Sequence, residues 1–138
     1  MRVEVESPFT SLLGIGASVP IGTEGLVHVW GRNDMATAQQ LGITWDVRDP
    51  DGLLVERYTE WEMWPYTGAG GEHEFIGDRF DINKNGDWRI TIELLMNPDS
   101  PVVVDSYDGV LCSVTEEFAG TITKKELEYD SVRGDIPV

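Results

Sequence analysis

The chain has 138 residues and a formal net charge of −15, from 25 acidic and 10 basic side chains. That length suits one domain, and a content of 41 % apolar residues argues against disorder. Nucleic acids and anionic membranes are bound through basic patches, so the charge argues against both as partners.

The N-terminal third predicts strands separated by a long connection. Over the whole chain, fifteen glycines and seven prolines favour strands and turns over a helical bundle. Val3–Val5 and Leu26–Trp30 have the composition of strands, whereas residues 11–25 are rich in glycine and small side chains and are expected to connect them. The segment 35–40 could form one helical turn but is too short to be a stable helix.

Residues 41–48 alternate strictly between apolar and polar side chains. The pattern places Leu41, Ile43, Trp45 and Val47 on one face, as in a strand with one buried side. The turn signal Asp49-Pro50-Asp51-Gly52 follows directly and leads into a further strand over 53–59. The two strands are therefore expected to form a hairpin.

A second alternating strand is predicted over 88–94, with Trp88, Ile90, Ile92 and Leu94 facing inward. Upstream of it, the glycine-rich loop 67–71 leads to a strand expected around 73–82, and Asn83-Lys84-Asn85-Gly86 turns the chain.

The C-terminal part begins with a turn over 97–101 and a strand over 102–104. Asp108-Gly109 is either a hairpin turn or a bulge within one long strand. Cys112, the only cysteine, is interpreted as a small buried strand residue, and it excludes an internal disulfide. Residues 1–119 are expected to form the domain, with 120–138 as an edge strand or as an arm ordered against a neighbouring subunit.

The order of these features resembles the immunoglobulin-like β-sandwich over roughly residues 24–114. The Asp49–Gly52 hairpin follows a tryptophan-bearing strand, and Asn85-Gly86-Asp87-Trp88 resembles the corner of such a sandwich. The resemblance implies an all-β, immunoglobulin-like antiparallel β-sandwich with about 7–9 strands. Trp88 stands where many such domains have tyrosine, and the paired cysteines of antibody domains are missing. The resemblance implies no catalytic residues.

Trp61, Trp64 and Tyr66 are the candidate binding residues. Exposed aromatic rings stack on the apolar faces of sugars, and neighbouring carboxylates can accept hydrogen bonds from sugar hydroxyl groups. The alternative is that strand alternation directs Trp61 and Met63 inward, while Trp64 and Tyr66 cover a sheet edge or a subunit contact.

No catalytic, cofactor or metal site is predicted. Asp81–Asp87 matches the opening of a calcium-binding loop, but the closing glutamate would have to stand at Ile92, which belongs to an inward strand face, and Glu93 is one residue late. His28 and His73 each stand alone in a strand, so no catalytic triad is expected.

The sequence therefore favours a non-catalytic structural or interaction module, a subunit of a surface or virion assembly. Its partner would be another protein or a second copy of the chain in a homo-oligomer. A carbohydrate-binding module that uses the three aromatic residues is the alternative, and an enzyme is third. The compartment is not predicted beyond favouring an extracellular surface or a virion.

Overall fold

The computed structural model describes residues 1–6 and 12–115, and all regular structure within them is β-strand. The strands are β1 (Arg2–Glu6), β2 (Leu12–Gly14), β3 (Ala17–Pro20), β4 (Thr23–Arg32), β5 (Leu41–Arg48), β6 (Leu54–Trp61), β7 (Glu72–Ile76), β8 (Phe80–Ile82), β9 (Gly86–Met96) and β10 (Val102–Thr115). These ten strands exceed the predicted seven to nine because three of them have only three or four residues.

Two five-stranded sheets form a β-sandwich. The first sheet has the order β2-β1-β4-β7, with β8 paired to β4 off this path. The second sheet has the order β3-β10-β9-β5-β6. Among these ten described strands, all pairs are antiparallel except β3 with β10, which run parallel. The all-β sandwich expected from the sequence is confirmed, and its pairing is antiparallel apart from this one edge of the second sheet.

The core lies between the sheets and is built by the alternation seen in the sequence. β5 and β9 are neighbours, so their inward side chains form one continuous layer. The second sheet contributes most of the large apolar groups, including Trp45 and Trp88, and the first sheet adds Phe75 and Phe80. The ring of Phe80 stacks on Trp88 at a centroid distance of 5.9 Å.

The hairpin predicted across Asp49–Gly52 is confirmed by the pairing of β5 with β6. The Asp49 carboxylate accepts hydrogen bonds from the backbone N–H groups of Asp51 and Leu53, at 2.9 and 3.0 Å. Gly52 has a φ of 84°, a conformation that glycine adopts without strain. The turn chemistry read from the sequence therefore sets this connection.

The long connection predicted over residues 11–25 is wrong for its described part. β2 and β3 occupy it, and β4 already begins at Thr23. Gly16 and Gly22 have φ values of 81° and 87° and make the tight turns between these strands possible. Strands this short carry too few residues to show an alternation in the sequence.

The structure divides one predicted strand and decides between the two alternatives for Asp108-Gly109. The strand expected over 73–82 is divided at Gly77 into β7 and β8, which pair with successive parts of β4. A side chain at Gly77 would collide with Trp45 and Glu56, at distances of 2.8 Å. Asp108 and Gly109 lie within the single long strand β10, whose register shifts fall between Val103 and Asp105 and between Val110 and Cys112.

The arm or edge strand predicted over 120–138 lies outside the described residues. Among the residues that are described, no helix has the length and apolar character needed to cross a membrane.

Candidate binding surfaces around Trp61 and Trp64

Two connections cross between the sheets side by side at one end of the sandwich. Residues 33–40 join β4 to β5, and residues 62–71 join β6 to β7. Gln39 and Thr67 exchange both backbone hydrogen bonds, at 2.9 and 3.1 Å. The backbone N–H of Asn33 donates to the carbonyl of Gly71 at 2.9 Å, so each connection holds the other in place.

Glu62 is a buried carboxylate that closes the base of the second connection. One of its oxygens accepts the backbone N–H groups of Leu41 and Thr67, at 2.8 and 3.0 Å. Its other oxygen accepts the Thr67 hydroxyl at 2.9 Å and lies 3.3 Å from His73 Nδ1. A buried charge is tolerated when donors surround it in this way, and the same bonds fix the two ends of the loop.

Asn33 fixes the base from the opposite side. Its side chain is fully buried, and its amide nitrogen donates to the carbonyls of Thr37 and Thr67, both at 2.9 Å. Its side-chain oxygen accepts the backbone N–H of Met35 at 2.8 Å. Three of the four hydrogen bonds that an amide side chain can make are thus formed, and the bond to Thr67 joins the two connections.

The tip of this connection, residues 63–66, is here called the aromatic loop. Met63 is 85 % exposed and Trp64 is 80 % exposed, and Tyr66 is also exposed. The peptide bond between Trp64 and Pro65 is cis. Large apolar side chains therefore project into solvent from a loop whose base is held by buried polar groups.

Trp61 lies elsewhere, on the outer face of the second sheet. It pairs with Gly42, whose chain neighbours Leu41 and Ile43 point into the core. A methyl group placed on Gly42 would lie 2.5, 2.6 and 2.7 Å from Cε3, Cδ2 and Cζ3 of Trp61. Nearly equal distances to three consecutive ring atoms mean that the face of the indole, and not its edge, covers the glycine.

The prediction that strand alternation directs Trp61 and Met63 inward is wrong. The register of β6 against β5 places Trp61 on the outer side, and Met63 lies beyond the strand in the aromatic loop. Within the described residues, no ring contact joins Trp61, Trp64 and Tyr66. Trp61 therefore lies on the outer face of the sheet, whereas Trp64 and Tyr66 lie in the aromatic loop.

The outer face of the second sheet presents ordered rows of side chains across β6, β5, β9 and β10. The strand registers define one apolar row of Trp61, Gly42, Leu95 and Val103. The adjacent row is polar and contains Thr59, Thr44, Glu93 and Ser106. Beside it lies a depression of about 140 Å³, lined by Thr44, Asp46, Arg57, Thr91 and Glu93.

The charges in this depression are mostly neutralised locally. Arg57 donates two hydrogen bonds to Asp46, at 2.9 and 3.2 Å, and this lowers the pKa of the Asp46 carboxyl so that it stays ionised. Glu93, in contrast, has no hydrogen bond or ion pair with any residue in the described ranges, and it is only partly exposed. With respect to the residues that the structure describes, Glu93 is therefore an acceptor without a partner at the edge of the depression.

The calcium-like segment Asp81–Asp87 is used for internal contacts. Lys84 donates to the carboxylates of Asp49 and Asp51, at 2.7 and 3.0 Å, and its backbone carbonyl accepts the indole N–H of Trp88. Over residues 1–6 and 12–115, no group of three or more His, Cys, Asp or Glu side chains is arranged to hold a metal ion.

The two histidines make contacts with different residues. His28 lies on the outer face of the first sheet, 3.5 Å from Glu6 and 3.5 Å from Glu74, and its ring stacks on Trp30. His73 contacts Glu62 at the base of the aromatic loop.

The sequence pointed to the aromatic residues but not to what positions them. No sequence motif marks Glu62, Asn33 or Gly42, because their roles come from contacts between segments that are distant along the chain. One available signal was Gly42 itself, since a glycine inside an alternating strand often marks a close approach by another group.

Comparison with known proteins supports the fold. The crystal structure of the C-terminal domain of wzt matches with a TM-score of 0.57 and 11 % sequence identity, covering 92 % of this chain and 81 % of that one. No protein-family model and no curated protein sequence matches the chain. The chain thus has the β-sandwich fold of that domain. A sequence identity of 11 % supports a likeness of fold and no statement about function.

Proposed function

We propose that this chain is a non-catalytic interaction module that attaches to another protein through its aromatic loop. The observation that carries the proposal is the exposure of Met63 and Trp64, at 85 % and 80 %, above a base that buried Glu62 and Asn33 hold in place. A second copy of the chain is the first partner to test.

A loop that is ordered before binding loses little conformational entropy when a partner covers it. Tryptophan and methionine are also enriched in the cores of protein interfaces, where a few such side chains supply most of the binding free energy. Exposing both groups on one short loop has a cost in water, since each apolar side chain contributes about 1.5–3 kcal/mol when it is buried. Contact with a partner removes that cost.

The net charge shapes how such a contact forms. Two copies that each carry −15 repel one another, and added salt weakens this repulsion because the screening length falls to about 10 Å at 0.1 M. Apolar burial is not weakened in the same way. Self-association through the aromatic loop should therefore strengthen as salt is raised.

The test is the absolute mass of the full chain, measured by light scattering on a size-exclusion column at low and high salt. A defined multimer that forms in salt and becomes monomeric in Trp64→Ser supports the proposal. Val55→Ser, an exposed substitution on β6, is the matched control and should leave the mass unchanged. A chain ending at residue 119 separates a contribution of the predicted arm from that of the loop.

A monomer under every condition would remove self-association. A multimer that Trp64→Ser leaves intact would assign the contact to another surface and contradict the role of the aromatic loop.

We include two further predictions in this proposal. The first is an immunoglobulin-like sandwich, and the second is a place in a surface or virion assembly. The two-sheet sandwich supports the first, as does the likeness to the wzt domain at the level of fold. The second stays a prediction from the sequence, and the exposed aromatic loop supports it as a surface available for such a contact.

Carbohydrate binding is the second candidate function. The observation that favours it is the indole of Trp61, which lies flat on Gly42 beside a row of hydroxyl and carboxylate groups.

A further inference from the structure

We infer that the outer face of the second sheet binds a neutral oligosaccharide, which stacks on Trp61 and hydrogen-bonds to the polar row beside it. The inference rests on the second of the two proposed functions and assigns its site and ligand class. The site excludes Trp64 and Tyr66, so it differs from the three-residue arrangement expected from the sequence.

The stacking surface is Trp61. One face of its benzene ring lies on Gly42, and a methyl group there would overlap three ring atoms at 2.5–2.7 Å. The indole is therefore held parallel to the sheet and remains partly exposed. The π-electron face of an aromatic ring is negative and attracts the weakly positive C–H groups that line one side of many sugar rings.

The hydrogen-bonding groups lie one row away. Residues two positions apart on a strand are about 7 Å apart, so the Thr59 row is within reach of the hydroxyl groups of a sugar placed on Trp61. The Thr44 and Thr59 hydroxyls lie 3.0 Å from each other, and Glu93 is a carboxylate without a partner among the residues described. Each can bond a sugar hydroxyl in exchange for water.

The charge on the part of this face next to Trp61 points to a neutral ligand, since the arginine pair Arg48 and Arg89 lies six residues away along β5 and β9. Arg57 is paired with Asp46, which leaves its charge largely neutralised, and Glu93 adds a negative charge at the depression that no side chain in residues 1–6 and 12–115 pairs with. An anionic sugar chain would meet Glu93 and the net charge of −15. The depression is about 140 Å³, below the 300–1,000 Å³ or so of an enclosing ligand pocket, and so suits a ligand that lies along the sheet.

The experiment titrates the full chain with cellohexaose, xylohexaose, mannohexaose and maltohexaose, with a polygalacturonate hexamer as the anionic comparison. Binding is followed by isothermal titration calorimetry and by tryptophan emission. We expect at least one neutral hexamer to bind, and the anionic one not to bind. Trp61→Ala should weaken that binding at least tenfold, and Trp64→Ala should change it less than twofold.

Gly42→Ala provides a second variant that leaves every polar group of the site unchanged. Its added methyl displaces the indole from the sheet, so binding should fall at least tenfold while the fold, followed by far-UV circular dichroism and urea unfolding, is retained. Glu93→Ala tests the polar row and should weaken binding several-fold. Failure of all four neutral hexamers to bind at millimolar concentration would overturn the inference, as would equal binding by Trp61→Ala and the parent chain.

The two proposed functions fail separately in these experiments. Loss of sugar binding in Trp61→Ala with an unchanged light-scattering mass supports the sugar site alone. A multimer that dissociates in Trp64→Ser, together with no binding of any hexamer, retains the protein contact and removes the sugar site.

Discussion

The side chains of the two alternating strands show how far single residues determine this fold. Trp45, Ile43, Trp88 and Ile90 all face the core, as their positions in β5 and β9 predict from the sequence. Trp64, three residues beyond the end of β6, is almost fully exposed. Tryptophan residues therefore have opposite energetic roles, according to whether they lie on the inward face of a strand or in the loop beyond β6.

Trp88→Ala should lower the free energy of unfolding by about 3–5 kcal/mol, because it removes a fully buried ring that Phe80 covers and leaves a cavity. Trp64→Ala is the matched control and should change it by less than about 0.5 kcal/mol. Urea unfolding followed by far-UV circular dichroism measures both. A loss below about 1 kcal/mol in Trp88→Ala would contradict the assignment of this face to the core.

Glu56 is a buried acid that the sequence did not single out. Its carboxylate accepts the indole N–H of Trp45 at 2.5 Å and the backbone N–H of Asp78 at 2.7 Å. Burial raises the pKa of Glu56 despite these hydrogen bonds, and the charge of Asp78 raises it further. The folded chain thus holds the Glu56 proton more tightly than the unfolded chain does.

This acid should make the protein less stable as the pH rises. Between about 4.3, the usual pKa of glutamate, and the higher pKa of Glu56 in the folded chain, the folded state binds more protons, so the free energy of unfolding falls with pH. Glu56→Gln cannot ionise and should lose this part of the pH dependence in urea unfolding at pH 4 to 7. Glu24→Gln, on an exposed site of β4, should keep it. Parallel pH curves for Glu56→Gln and the parent chain would contradict the assignment.

The two connections at the end of the sandwich, residues 33–40 and 62–71, are stabilised at their base by buried polar groups. The aromatic loop at the tip of the second connection is exposed to solvent. Asn33 and Glu62 supply most of the side-chain bonds at their base. The turn at Asp49–Gly52 could be predicted from the sequence, because its signals are local. The loop base could not be predicted, because Asn33 and Thr67 are 34 residues apart and no local pattern records their contact.

Asn33→Ala should loosen this end of the domain. The carbonyls of Thr37 and Thr67 lose a donor that water replaces poorly in a buried site, and the expected loss in unfolding free energy is about 1–3 kcal/mol. Amide hydrogen exchange of Gly70, which donates to the Asn33 carbonyl, and of Thr67 should accelerate more than that of β9. Asp34→Ala, an exposed neighbour, is the control and should leave these amides unchanged; unchanged exchange in Asn33→Ala would contradict its role.

At the scale of the whole molecule, the fold was predictable and the surfaces were not. Alternation in β5 and β9 and the turn between β5 and β6 were enough to indicate a sandwich. Which side Trp61 takes depends on the register of β6 against β5, and its indole needs the space left by Gly42. Short strands such as β2 and β3, and the division between β7 and β8, also depend on partners in the other parts of the sheets.

The burial of Cys112 has a consequence for work on this protein in solution. The thiol is fully buried between the sheets, and burial raises its pKa to about 11, so at neutral pH the reactive thiolate is scarce in the folded chain. A thiol reagent reaches Cys112 only when the sandwich opens, and the rate of labelling then reports the opening of β10 from its neighbours. A cysteine introduced at the aromatic loop would react at once. One chain would then carry an exposed thiol that is labelled quickly and a buried thiol whose slow labelling measures unfolding.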